Sequence, residues 1–134
     1  PPAEKPEFIV NGAFADGSSG WSLSGGAEIA EGVARLASGS NTDRMTQTVR
    51  LQRGKTYALI VDVAECGAEL QFGVNDYNGR YTKAEQTVSE AGEYTLTFTM
   101  AQHMDNVEVY LQVLRYQGSN EPVVINAVRL IESA

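Results

Sequence analysis

The feature that most constrains this chain is an alternation of apolar and polar residues with period two. It is cleanest in "EYTLTFTMA", where Tyr94, Leu96, Phe98 and Met100 alternate with Thr95, Thr97 and Thr99. A β-strand points successive side chains to opposite faces, so such a run buries one face and wets the other. The same rhythm runs through "RMTQTVRLQ", with Met45, Gln47, Val49 and Leu51 set against Arg44, Thr46, Thr48 and Arg50. "TYALIVDVAE" puts Tyr57, Leu59, Val61 and Val63 on one face, and "AELQFGVND" opposes Leu70, Phe72 and Val74 to Gln71, Gly73 and Asn75. "NVEVYLQVLRY" alternates Val107, Val109, Leu111 and Val113 against Glu108, Tyr110, Gln112, Leu114 and Tyr116.

Shorter runs fill the gaps: a strand over Phe8 to Val10, a hairpin of Glu28 to Ala30 and Val33 to Ala37, "AEQTVSE", and the closing "VVINAVRLIE". Turn signals at Asn11-Gly12, Glu31-Gly32, Arg53-Gly54-Lys55, Asn78-Gly79 and Ala91-Gly92 punctuate them. The count is about nine strands with turns roughly every ten residues, which predicts an all-β, two-sheet antiparallel β-sandwich. The 134 residues fit one domain. Residues 1–6 carry prolines and charges and read as a linker, so the domain spans 7–134 and is expected to be one module of a longer chain.

Charge and rare residues narrow the function classes. Lys plus Arg is 10 against 17 for Asp plus Glu, a net charge of −7. Nucleic acids and anionic membranes select for Lys/Arg clusters, so neither is an expected partner. The apolar runs are too short for membrane insertion as a helix. With one cysteine, Cys66, no intrachain disulfide can form, and a domain of this size does not need one outside the cell. His103 is the single histidine, in a turn without triad or metal partners at recognisable spacing. No catalytic residues are assigned; the expectation is a non-enzyme and a monomer.

The stretch "EFIVNGAFADGSSGW" has a pattern of its own. Asn11, Gly12, Phe14, Gly17, Gly20 and Trp21 resemble the opening segment of jelly-roll carbohydrate-binding modules, the galactose-binding-like group that includes families 4, 9, 16 and 22. "MTQTVRLQRGKTYALIVDV", "AGEYTLTFTM" and "VVINAVRLIE" are similar to later segments of that group, in the right order, so the resemblance covers residues 7 to 132. It implies a jelly-roll sandwich appended to a secreted or cell-surface glycan-active enzyme such as a glycoside hydrolase. The implied partners are a poly- or oligosaccharide and the catalytic domain of the same parent chain. It also implies that the ligand lies across one sheet or in loops at one end. A structural calcium often joins the first and last strands in the group. Here Ala15 and Asn126 stand where carboxylates are usual, which weighs against the ion, since calcium wants several charged oxygens.

Sugar recognition needs an aromatic face for the apolar C–H surface and fixed donors and acceptors for the hydroxyl rim. Trp21 sits beside Phe14 after a glycine-rich loop, a position that reads as a core plug. Phe8, Phe14, Phe72, Phe98, Tyr57 and Tyr94 fall on apolar parities and are expected in the core. Glu108, Tyr110, Gln112 and Tyr116 form the strongest platform signal, with surface tyrosines packed under a loop as the alternative. The loop "NDYNGRYTK" adds Asn75, Asp76, Tyr77, Arg80 and Tyr81. If the two strands lie together, Gln71, Asn75 and Tyr77 would share the face of Tyr110 and Gln112, and Arg80 would clamp a hydroxyl pair or carboxylate or stack beside a tyrosine. A solvated Asn-Gly tip is the alternative there. Asp62 is a further candidate on its strand's polar side. The expected function is a non-catalytic carbohydrate-binding module. Its rival is a structural or protein-interaction sandwich with a degenerate sugar site.

Overall fold

The computed structural model describes residues 8–25, 27–36, 44–75, 84–100, 104–116 and 123–133, with the backbone alone at 68, 104–106, 114–116 and 133. Among the described residues there are ten strands: β1 (Ser22–Ser24), β2 (Ala27–Ala30), β3 (Val33–Leu36), β4 (Arg44–Leu51), β5 (Thr56–Cys66), β6 (Ala68–Asn75), β7 (Ala84–Val88), β8 (Gly92–Thr99), β9 (Met104–Tyr116) and β10 (Val123–Ser133). They form two five-stranded sheets, β1-β4-β9-β6-β7 and β2-β3-β10-β5-β8, and every pairing is antiparallel. The all-β sandwich expected from the alternation is the fold observed.

Alternation explains which faces meet. Leu59, Val61, Leu70, Phe72, Val74, Val109 and Leu111 are fully buried between the sheets, as their parity requires. Each such side chain contributes about 1.5–3 kcal/mol relative to exposure, so the central strands define the register of the whole. Phe8 is half-buried and packs edge-on against Tyr57 at 5.4 Å, while Phe98 lies on the other side of Tyr57 at 5.9 Å.

One expectation fails at the start of the chain. Residues 8–10 are not a strand; the segment from Ile9 to Gly20 is a succession of bends and turns. The reason lies in side chain–backbone bonding. Gln47, 7% exposed on the core side of β4, accepts from Val10 N at 2.6 Å and donates to Val10 O at 2.9 Å. An amide thus takes the place of a neighbouring strand. Asn11 then turns the chain with φ of 56°, in the left-handed region that Asn tolerates. Its Nδ2 donates to Gly17 O and Ser19 O, and its Oδ1 accepts from Asp16 N. Gly12 O accepts from Val128 N at 2.9 Å, and a Cβ at Gly12 would meet Val128 O at 2.1 Å, so only glycine fits there. Phe14 and Trp21 close the end of the core, 1% and 7% exposed, with ring centroids 5.9 Å apart. The Trp21 indole N–H donates to Asn11 O. Trp21 is therefore the structural plug that its position predicts.

Candidate functional site

The outer face of the β1-β4-β9-β6-β7 sheet carries the platform residues. Register sets them in transverse rungs. Ser22, Thr46, Tyr110, Gly73 and Glu85 form one rung across all five strands. Ser24, Arg44, Gln112, Gln71 and Thr87 form the next. Thr48, Glu108 and Asn75 form a third. Neighbouring strands are roughly 4.8 Å apart, so side chains along and between rungs are within reach of one another.

Tyr110 occupies the centre and lies flat. Its hydroxyl donates to Glu85 Oε2 at 2.9 Å, two strands away, and the rung position between them is Gly73. A Cβ at Gly73 would meet the backbone of Ala84 and Glu85, so the glycine lets β7 come close enough for Glu85 to reach the Tyr110 hydroxyl. The result is a tyrosine on the outer face that is only 2% exposed. Burial, and then the hydrogen bond and charge of Glu85, hold its phenol well above the usual tyrosine range, while the Arg44 charge pulls the other way.

Arg44 covers the ring. Its guanidinium carbon sits 4.9 Å from the Tyr110 centroid, within cation–π range. Nη1 donates to Gln112 Oε1 and Nη2 to Glu108 Oε1, each at 2.5 Å. Gln112 Nε2 in turn donates to Gln71 Oε1 at 2.7 Å. Glu108, Arg44, Gln112 and Gln71 thus make one hydrogen-bonded strip, and its Arg44 lies over the Tyr110 ring. The Arg44 and Glu108 side chains remain 30% and 37% exposed, so the strip faces solvent. At the Glu108 rung, Asn75 Oδ1 is buried without a hydrogen-bond partner among the described residues. Beside Tyr110 and Glu108, a groove of about 380 Å³ lies over Thr46 and Thr48, walled by Val10 and Gly20. Val10 is 62% exposed and gives this groove an apolar rim. Chemically, the face offers amide and carboxylate groups suited to gripping hydroxyls, now engaged by the Arg44 guanidinium.

The structure brings together Glu108, Tyr110, Gln112 and Asn75, and it confirms that the strand of Gln71 and Asn75 lies beside that of Tyr110. The Tyr110 ring, however, is packed between the sheet and Arg44 rather than open to solvent. A bulge in β9 pairs Glu69 with Arg115 but Leu70 with Val113, and the Tyr116 backbone falls opposite Ala68. For Tyr116 the structure gives the backbone alone, and Tyr77, Arg80, Tyr81 and His103 lie outside the described residues. Asp62 belongs to the other sheet, paired with Glu93 and Ala127, and does not join this face. Sequence reasoning missed Arg44 and Glu85. The signal for Arg44 was its place on the Thr-rich parity of a strand whose partner carries Glu108. For Glu85 it was the glycine at position 73, which lets the next strand pack close against β6.

Calcium fits poorly where the resemblance implies it. Ala15 brings a methyl group and Asn126 a neutral amide, both exposed. Among the described residues no three His, Cys, Asp or Glu side chains converge. That donor set does not suit a hard dication.

No protein-family model and no curated protein sequence matches the chain. Solved structures do match it in fold. The second N-terminal cellulose-binding domain of Cellulomonas fimi β-1,4-glucanase C superposes with a TM-score of 0.66 at 19% identity, covering 98% of this chain and 97% of that one. A family 61 carbohydrate-binding module in complex with β-1,4-galactotriose gives 0.63 at 16% identity, covering 96% and 99%. The enzymatically active domain of tailspike protein 4 from bacteriophage CBA120 gives 0.72 at 14% identity over 95% of this chain but 21% of that one. Across nearly its whole length, then, the chain has the fold of carbohydrate-binding module sandwiches.

Proposed function

We propose that this domain is a non-catalytic carbohydrate-binding module that holds a larger, secreted or cell-surface glycan-active enzyme against its polysaccharide. The ligand lies across the outer face of the β1-β4-β9-β6-β7 sheet. The observation that carries this reading is the hydrogen-bonded strip of Glu108, Arg44, Gln112 and Gln71, with Arg44 over the Tyr110 ring. An ordinary solvent-facing strand has no need of linked amides beside a buried tyrosine. A glycan does have a use for them: vicinal hydroxyls both donate and accept, as a carboxamide does. The Val10 groove over Thr46 and Thr48 extends the same surface on the β4 side of Tyr110 and Glu108. The fold supports the reading, since cellulose-binding and galactotriose-bound modules share it and a phage tailspike contains it within an active domain.

Affinity for a single short sugar is expected to be weak, because the contact is small and its polar groups must give up water. Calorimetry on neutral plant, bacterial and host glycans tests the proposal. Gln112→Ala should weaken binding by roughly tenfold, the effect of one or two lost hydrogen bonds, with the melting temperature nearly unchanged. Absence of binding across the whole set would sink the carbohydrate reading. The rival, a structural or protein-interaction module, draws on one observation: the aromatic face that a sugar would use is covered by Arg44.

A further inference from the structure

We propose that Arg44 is a specificity-determining latch: it occupies the place of the sugar, and a glycan reaches Tyr110 only by displacing it. This rests on the carbohydrate-binding reading of the same face. Three groups on the face suit a pyranose, and Arg44 engages all three. Its planar guanidinium lies over the Tyr110 ring at 4.9 Å, where a sugar's C–H face would stack. Its Nη2 holds Glu108 Oε1 and its Nη1 holds Gln112 Oε1, the acceptors that would take sugar hydroxyls.

The geometry of the side chain suits a latch. Arg44 stems from the rung of Gln112 and reaches past Tyr110 to the rung of Glu108. It is anchored at one end by β4 and crosses the ring as a strap. With 30% of the side chain exposed, it has an open side towards solvent and can swing away without moving the sheet. The floor does not depend on it. Tyr110 keeps its hydroxyl bond to Glu85, and Gln112 keeps its bond to Gln71.

The latch also sets selectivity. A ligand must replace both a cation–π contact and two charge-assisted hydrogen bonds. A pyranose that presents a stacking face with hydroxyls on both flanks does so, whereas a smaller polyol satisfies only part of the set. An exposed ion pair together with a cation–π contact is worth roughly a tenfold factor in an equilibrium constant, and this is the factor by which the latch holds down affinity.

The test compares wild type, Arg44→Ala, and the double variants Arg44→Ala/Tyr110→Phe and Arg44→Ala/Tyr110→Ala. Calorimetry uses soluble β-linked oligosaccharides of glucose, xylose and galactose, with glycerol as the small-polyol control. Arg44→Ala should bind the preferred oligosaccharide roughly tenfold tighter, by removal of the competing contacts. The gain should persist with Phe at position 110, which keeps the ring, and vanish with Ala. Glycerol binding should not change. A second readout needs no sugar: the Tyr110 ring protons should be shielded from an uncharged gadolinium chelate in wild type and broadened by it in Arg44→Ala. If wild type binds and Arg44→Ala binds more weakly, Arg44 is a ligand contact, and if it binds equally, Arg44 plays no part; either result overturns the latch while the carbohydrate reading stands. Unchanged shielding of the ring in Arg44→Ala also overturns it. If no protein in the series binds any of the sugars, the carbohydrate reading falls and this proposal with it.

Discussion

Tyr110 shows how one residue can carry a surface without being exposed. Its ring is a floor, its hydroxyl is spent on Glu85, and its upper face is under Arg44. Removing the hydroxyl isolates the first of these links. Tyr110→Phe should lose about 1 kcal/mol at neutral pH, the net value of a single hydrogen bond near solvent. The phenol adds a pH dependence whose sign follows from its raised pKa. Below an ordinary phenol pKa of about 10, the tyrosine is neutral in both folded and unfolded chains and adds no slope. Above it, the unfolded chain releases the proton while the folded chain keeps it, so stability falls as pH rises. Thermal melts at successive pH values should therefore show the wild-type advantage over Tyr110→Phe shrinking from pH 10 upwards. A gap constant through that range would mean that the phenol is not held neutral by its surroundings.

At the scale of elements, β6, β7 and β9 make the site because of an absence at Gly73. A Cβ there would meet Ala84 O at 2.1 Å and Glu85 Cα at 2.8 Å, both backbone. Neither atom can rotate aside, so β7 would have to shift. Gly73→Ala should cost about 1–3 kcal/mol, as overpacking does, and should carry Glu85 away from the Tyr110 hydroxyl. The measurements are a denaturant midpoint and the Tyr110 hydroxyl proton by NMR; a normal midpoint with the proton still hydrogen-bonded would mean that β6 and β7 approach less closely. The same strands show what a sequence discloses. Period-two alternation places Leu70, Phe72, Val109 and Leu111 correctly, because burial acts on each residue through its parity alone. Parity also put Glu108, Tyr110, Gln112 and Asn75 on one face. It could not foresee that the tyrosine would lie down, since that depends on a glycine and a glutamate in two other strands. Nor could it foresee the β9 bulge between Val113 and Arg115.

For the whole molecule, the question is what joins the two sheets at the end where the chain enters the sandwich. Residues 8–20 touch both. Gln47 in β4 grips Val10 by its N–H and carbonyl, while Gly12 and Phe8 bond to Val128 and Leu130 of β10. The segment is a clamp made of hydrogen bonds: β10 holds it on one side, but on the β4 side its partner is the buried Gln47 amide rather than a strand, which alternation cannot show. The donor groups near Ala15 and Asn126 do not suit calcium, so stability should rest on this clamp instead. Gln47→Leu keeps the volume but leaves both polar groups of Val10 without their partner. That should cost about 1–3 kcal/mol, the penalty for orphaned backbone groups, and lower the melting temperature by several degrees. A chelator should leave the wild-type melt where it is. A melt that falls by many degrees on chelation, with Gln47→Leu behaving as wild type, would assign the junction to a bound ion and remove the clamp from the account.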